Sequence, residues 1–180
     1  MARLPEVLFK SGLPEDKQPI FDAIAESRGR VGFPFSLLLN SPEVAGRVAH
    51  LGSFLRFESS LSDVQKELAI TAARHSDCEF EWAAHTRLAR KVGVREQAID
   101  IIGRHGALDS LTDEEAMIVA YGRELLGKHR VTTETFEAVR SSLGDKGTIE
   151  LTATLGYYTM LACVLNSCEV PAPSGWMPLP

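Results

Sequence analysis

Cys78, Glu81, Trp82 and His85 lie close together in the stretch Asp77-Cys78-Glu79-Phe80-Glu81-Trp82-Ala83-Ala84-His85. Wound as a helix from Cys78 to Val92, at ~100° per residue, they fall within an arc of roughly 60–100°. Leu88, Ala89 and Val92 share that side, which marks it as core-facing, while Glu79, Thr86, Arg87, Arg90 and Lys91 make a wet opposite face. A thiol, a carboxylate and an imidazole on a buried face are costly unless they are paired or put to use. Two chemistries fit them. Cys78, near a helix N-terminus, has the dipole and free N–H groups that favour a thiolate. Glu81 and His85, one turn apart, can hydrogen-bond and exchange protons as an acid–base pair.

Each residue also has a plainer reading. Cys78 can be a small buried hydrophobe, and His85 a core histidine satisfied by Glu81. Glu81 is harder to set aside, because carboxylates are rarely buried without a partner. Trp82 more often packs than acts and is read as a pocket wall. A metal site built from Glu81, His85, Cys78 and Glu67 is weakly signalled, since no second histidine stands at helical spacing to His85. No metal or cofactor is expected. His50, His75, His105 and His129 are scattered, and neither a phosphate-binding glycine loop nor a serine nucleophile elbow is present.

Helices must hold these groups. The chain has no alternating strand pattern of useful length, so the fold is expected to be all-α. Residues 1–14, with Pro5, Gly12 and Pro14, read as an extended arm, residues 15–170 as one helical domain, and residues 171–180 as a proline-rich irregular tail. Glu15 to Glu26 carries Ile20, Phe21, Ile24 and Ala25 at helical spacing and is closed by Gly29 and Gly32. Leu37 to Leu39 follows as a short helical turn. Ser41-Pro42-Glu43 starts the next helix with a capping hydroxyl and a first-turn proline. Leu61 to His75 sets Leu61, Val64, Leu68, Ala72 and His75 on one stripe. Glu67 lies beside that stripe and, by position alone, reads as a surface residue. Asp77 can cap the motif helix, which Gly93 ends. A short helix spans Arg95 to Ile102, and Thr112-Asp113-Glu114-Glu115 is a capping box. Thr133 to Leu143 is closed by Gly144, and Asp145 to Cys168 is apolar nearly all round, with Gly156-Tyr157-Tyr158 supplying aromatic walls.

Composition narrows the classes. At 180 residues, 44% hydrophobic and 24% charged, the chain suits one soluble domain with a real core. A net charge of −5 with no basic tract argues against nucleic acid. No apolar run is read as a membrane span, and the N-terminus lacks the apolar segment of a signal peptide. Three cysteines cannot close a disulfide framework, so a reducing cytoplasm is the expected compartment. Cys163 and Cys168 read as inert core thiols.

Glu67-Leu68-Ala69-Ile70, then Cys78-x-x-Glu81-Trp82-x-x-His85 with Ala89 and Gly93 after it, resembles the carboxymuconolactone decarboxylase family. The AhpD-like alkylhydroperoxidases belong to the same superfamily. Leu39-Asn40-Ser41-Pro42 and the segment from Glu150-Leu151 through Gly156-Tyr157-Tyr158 to Asn166 and Val170 extend the likeness over most of the chain. The resemblance implies an all-α fold of intertwined subunits, trimers or hexamers, with the site between packed helices. It also implies catalytic roles for Cys78, His85 and the upstream Glu67, which join Glu81; the residues themselves, not the likeness, offer Trp82 and Tyr157 as substrate contacts. AhpD-like peroxidases use a Cys-x-x-Cys pair, and here Glu81 replaces the second cysteine, so no disulfide can form within the motif. The Glu-Trp-x-x-His form is closer to the decarboxylase branch. The leading expectation is acid–base lyase or isomerase chemistry on a small carboxylated lactone from aromatic catabolism, with Arg74 or Arg56 meeting the substrate's charge. The alternative is a thiol peroxidase in which an outside thiol resolves oxidised Cys78. A third reading keeps the fold as a non-catalytic scaffold or binder.

Overall fold

The computed structural model describes residues 2–68 and 70–180, without the side chains of Ala72 and Ala73. Ala69 of the motif and the side chain of Ala72 on the predicted stripe therefore lie outside the described residues. Among those described, all regular structure is helical, as the residue patterning predicts. The chain clusters into two compact units.

The first unit runs to Glu58 and takes in Val164–Val170. It holds single 3₁₀ turns at Lys10–Gly12 and Glu15–Lys17, then α1 (Gln18–Arg28), α2 (Phe35–Leu38), α3 (Pro42–Ser53) and a π-helical turn at Phe54–Glu58. Ile24 of α1 is fully buried, and Gly46 of α3 lets the two helices approach closely: a Cβ there would sit 3.4 Å from the Ile20 side chain. The N-terminal arm is tied down by backbone bonds from Val7 N–H to Ser36 O (2.8 Å) and Arg3 N–H to Cys168 O (2.8 Å). Ser41 occupies the position before α3, yet its side chain makes no capping bond; Pro42 alone marks that start.

The second unit comprises Ser59–Cys163 and Pro171–Pro180. Its helices are α4 (Asp63–Leu68), α5 (Ile70–His75), α6 (Glu79–Val92), α7 (Glu96–Gly103), α8 (Asp113–Lys128) and α9 (Thr133–Ser167), the last belonging to this unit as far as Cys163. The core is built from Leu68, Trp82, Ala98, Ile99, Ile102, Ile118, Val119, Leu151 and Leu155. α6 packs against α4, α5 and α7, so both of its sides meet protein. Thr86, expected on a wet face, is consequently buried and turns its hydroxyl to Ala83 O at 3.3 Å.

Local sequence explains the boundaries. Thr112 and Glu115 form the expected reciprocal cap of α8, and Glu115 is further held by Arg95. Gly93 ends α6 at φ 93°, a left-handed conformation that costs glycine little. Gly144, at φ 70°, interrupts α9 where the sequence places the end of one helix and the start of the next. Past that kink, a stretch of α9 is long and apolar enough to cross a membrane by length and composition alone, and half of that stretch is buried within the protein.

Candidate active site

α6 carries two of the four expected catalytic groups, Glu81 and His85; Cys78 stands immediately before it, and α4 supplies Glu67. His85 Nδ1 lies 2.9 Å from Glu67 Oε2, and His85 Nε2 lies 3.2 Å from Glu81 Oε2. All three are buried: Glu67 is 8% exposed, Glu81 3% and His85 7%. Glu67 was expected at the surface by position, but the packing of α4 on α6 turns it inward. Glu81 and His85 are placed by helical periodicity, whereas Glu67 to His85 is a contact between helices.

The two contacts bear on the imidazole's state. A neutral ring has one N–H and one lone pair, so between two ionised carboxylates one contact would be lone pair against lone pair, whereas a protonated ring has a donor for each. Burial by itself would lower the His85 pKa; the hydrogen bonds to Glu67 and Glu81, and their charges, outweigh it and raise the pKa from 6.5 to about 9. Tyr158 closes another side, its ring meeting the imidazole edge-on with centroids 4.4 Å apart.

Cys78 sits immediately before α6, in extended conformation, and is 1% exposed. Asp77, expected to cap the helix, instead adopts φ 44° and pairs with Arg74 at 2.5 Å. The thiol does not follow the expectation of a favoured thiolate. Burial raises its pKa from 9.0 to about 11; the backbone N–H groups of Glu81 and Phe80 pull the other way, but the Glu81 charge adds to the rise. Being at a helix start is insufficient when the thiol is buried and a carboxylate stands nearby.

The remaining expected residues divide. Trp82 is fully buried and its indole N–H donates to Pro178 O at 3.0 Å. Tyr157 meets Tyr158 ring to ring at 5.4 Å, and it is Tyr158 that lies on His85. The sequence reading named Tyr157; adjacent helical positions point ~100° apart, and it is the neighbouring ring that meets the imidazole. Arg74 is engaged by Gly103 O and Asp77, and Arg56 belongs to the first unit, its guanidinium 5.9 Å from the Phe57 ring. Cys168 is buried as expected; Cys163 is exposed instead. Among the described residues, no group of three or more His, Cys, Asp or Glu is disposed to hold a metal ion.

Comparison with known proteins agrees with this architecture. The model of the Carboxymuconolactone decarboxylase family matches residues 42–124, which contain the Glu67, Cys78, Glu81 and His85 set. No match is found among curated proteins. Among solved structures, the alkylhydroperoxidase AhpD core protein of Ralstonia eutropha JMP134, an uncharacterized peroxidase-related protein, superposes with a TM-score of 0.76 at 17% identity, over 96% of this chain and 93% of that one. A peroxidase-related protein from Silicibacter sp. TM1040 gives 0.73 at 17% identity, over 97% and 95% of the two chains. The apo debrominase Bmp8 gives 0.71 at 14% identity, over 95% and 92%. At these identities the likeness is one of fold.

Proposed function

We propose, for this chain whose residues 42–124 match the model of the Carboxymuconolactone decarboxylase family, an acid–base lyase or isomerase acting on a small carboxylated lactone or related acid. The observation that carries this reading is the buried His85, bracketed by Glu67 and Glu81 through both ring nitrogens. Loss of CO2 from such a substrate breaks a C–C bond and leaves its electron pair on the ring, delocalised into the lactone carbonyl. The pair must then be quenched by a proton. The imidazolium supplies it, passing it through Glu81 on the Nε2 side, while Glu67 on the Nδ1 side holds the ring and relays its reprotonation. Burial of the three groups strengthens the interaction of the cation with developing negative charge.

Thiol chemistry is the second reading. The peroxidase-related names of two structural neighbours, and two backbone N–H groups acting on the Cys78 sulfur, favour it. Its weakness is a thiol that stays protonated near neutrality. We also take the chain to assemble as a homo-oligomer, trimer or hexamer.

The test is CO2 release from a panel of carboxylated lactones by the wild-type protein and by His85→Gln. Release by the wild type, with a loss of roughly 10²–10⁴-fold in a variant that keeps its helical circular dichroism, is the expected result. Near-normal turnover in the variant, or peroxide consumption with no CO2 release by the wild type, overturns the proposal.

A further inference from the structure

The last residues of the chain lie along α6, the helix that carries Glu81 and His85. The Trp82 indole N–H donates to Pro178 O at 3.0 Å. The Arg87 guanidinium stands 4.6 Å from the centre of the Trp176 ring, Phe80 meets the same ring at 6.4 Å, and Arg90 Nη2 reaches Met177 Sδ at 3.1 Å. Pro180 presses where α7 meets Trp82: a Cβ on Gly103 would lie 2.8 Å from Pro180 Cγ and 2.9 Å from Trp82 Cη2. The tail thus grips α6 at four residues, from its first turn to its last. At ~100° per residue, Phe80, Arg87 and Arg90 lie on the side away from Glu81 and His85, with Trp82 between the two sides.

We propose that the tail segment Trp176–Pro180 is a brace that sets the position of α6, and that Trp82 and Trp176 are positioning residues for His85 acting through it. The mechanics follow from which contacts lie within a helix and which cross between helices. Glu81 and His85 ride on α6 together, so a shift or roll of that helix leaves their contact intact. Glu67 stands on α4, and its 2.9 Å contact with His85 Nδ1 is the one such a movement stretches. Trp82 lies on the flank of α6 between the site side and the tail side, where its anchoring to Pro178 limits the roll. A tail read from sequence as an irregular extension becomes part of the site's support.

This inference rests on the reading of His85 as the proton-carrying group, and its test separates the two. In full-length protein with isotope-labelled histidine, the titration midpoint of His85 is followed by NMR in the wild type, in Trp82→Phe, which keeps an aromatic ring but loses the N–H, and in Trp176→Ala. The expected result is a lower midpoint in both variants, by about one pH unit, a tenfold weaker hold on the proton, with kcat falling more than KM rises. An unmoved midpoint overturns the brace, whatever happens to the melting temperature. Failure of Trp176→Ala to fold also overturns it, because the tail would then be a folding element rather than a positioning one. If the midpoints shift but the wild type releases no CO2 from any lactone, the brace stands and the proposed reaction fails.

Discussion

His85 binds its proton more tightly in the folded protein than as a free side chain, and that difference is a stability term. Folding raises its pKa from 6.5 to about 9. Below pH 6.5 both folded and unfolded chains carry the proton and the contribution is full. Between 6.5 and 9 the unfolded chain releases it first, so stability falls as pH rises, and the contribution is gone above about 9. The size is on the order of 3 kcal/mol. Denaturant unfolding at about pH 6 and about pH 10 should therefore show a larger loss in the wild type than in His85→Gln. Equal losses in the two proteins would contradict the bracketed imidazolium. Glu67 shows what the sequence could not convey at this scale. Its spacing placed it beside an apolar stripe, and only the packing of α4 on α6 makes it a partner of His85. Family likeness supplied the hint that periodicity lacked.

At the scale of elements, helix ends were legible wherever a residue type has a single geometric use. Gly93 and Gly144 mark left-handed positions, and the Thr112–Glu115 box closes as read. Caps with a choice of partner were not: Ser41 and Asp77 carry the right oxygen but make no capping bond. The contrast gives a prediction. Thr112→Ala should cost about 1 kcal/mol, a Tm shift of roughly 2–4 °C, while Ser41→Ala should leave Tm unchanged. Thermal melts of the two variants check it, and a larger effect at Ser41 would refute the account of these caps. The role of Thr86 was misread for a related reason. The charged residues around it suggested a solvent face, but α6 is enclosed by α4, α5 and α7, and a small hydroxyl that bonds its own helix can be buried there.

For the whole molecule, the all-α class was readable from patterning, and the likeness to the family model matched over residues 42–124 from one motif. The tail's part in holding α6 was not, because its bond to Trp82 uses a backbone carbonyl that any residue could provide. Large apolar side chains remain in water: Phe9 is 74% exposed and Phe57 60% in the first unit, and Ile149 68% in the second. Covering each would contribute roughly 1.5–3 kcal/mol, which supports the proposed homo-oligomer. Light scattering should return three or six times 19.7 kDa; a monomeric mass across the micromolar range would refute that assembly.

The central claim is that this site handles protons and leaves its thiol idle. The rate of alkylation of Cys78 against pH, with mass spectrometry assigning the label, tests it most directly. The account predicts that exposed Cys163 is labelled at neutral pH, while buried Cys78 stays unmodified until the pH approaches about 11. Rapid labelling of Cys78 at neutral pH, with a midpoint below the free-thiol value of ~8.5, would contradict the account and return the site to peroxide chemistry.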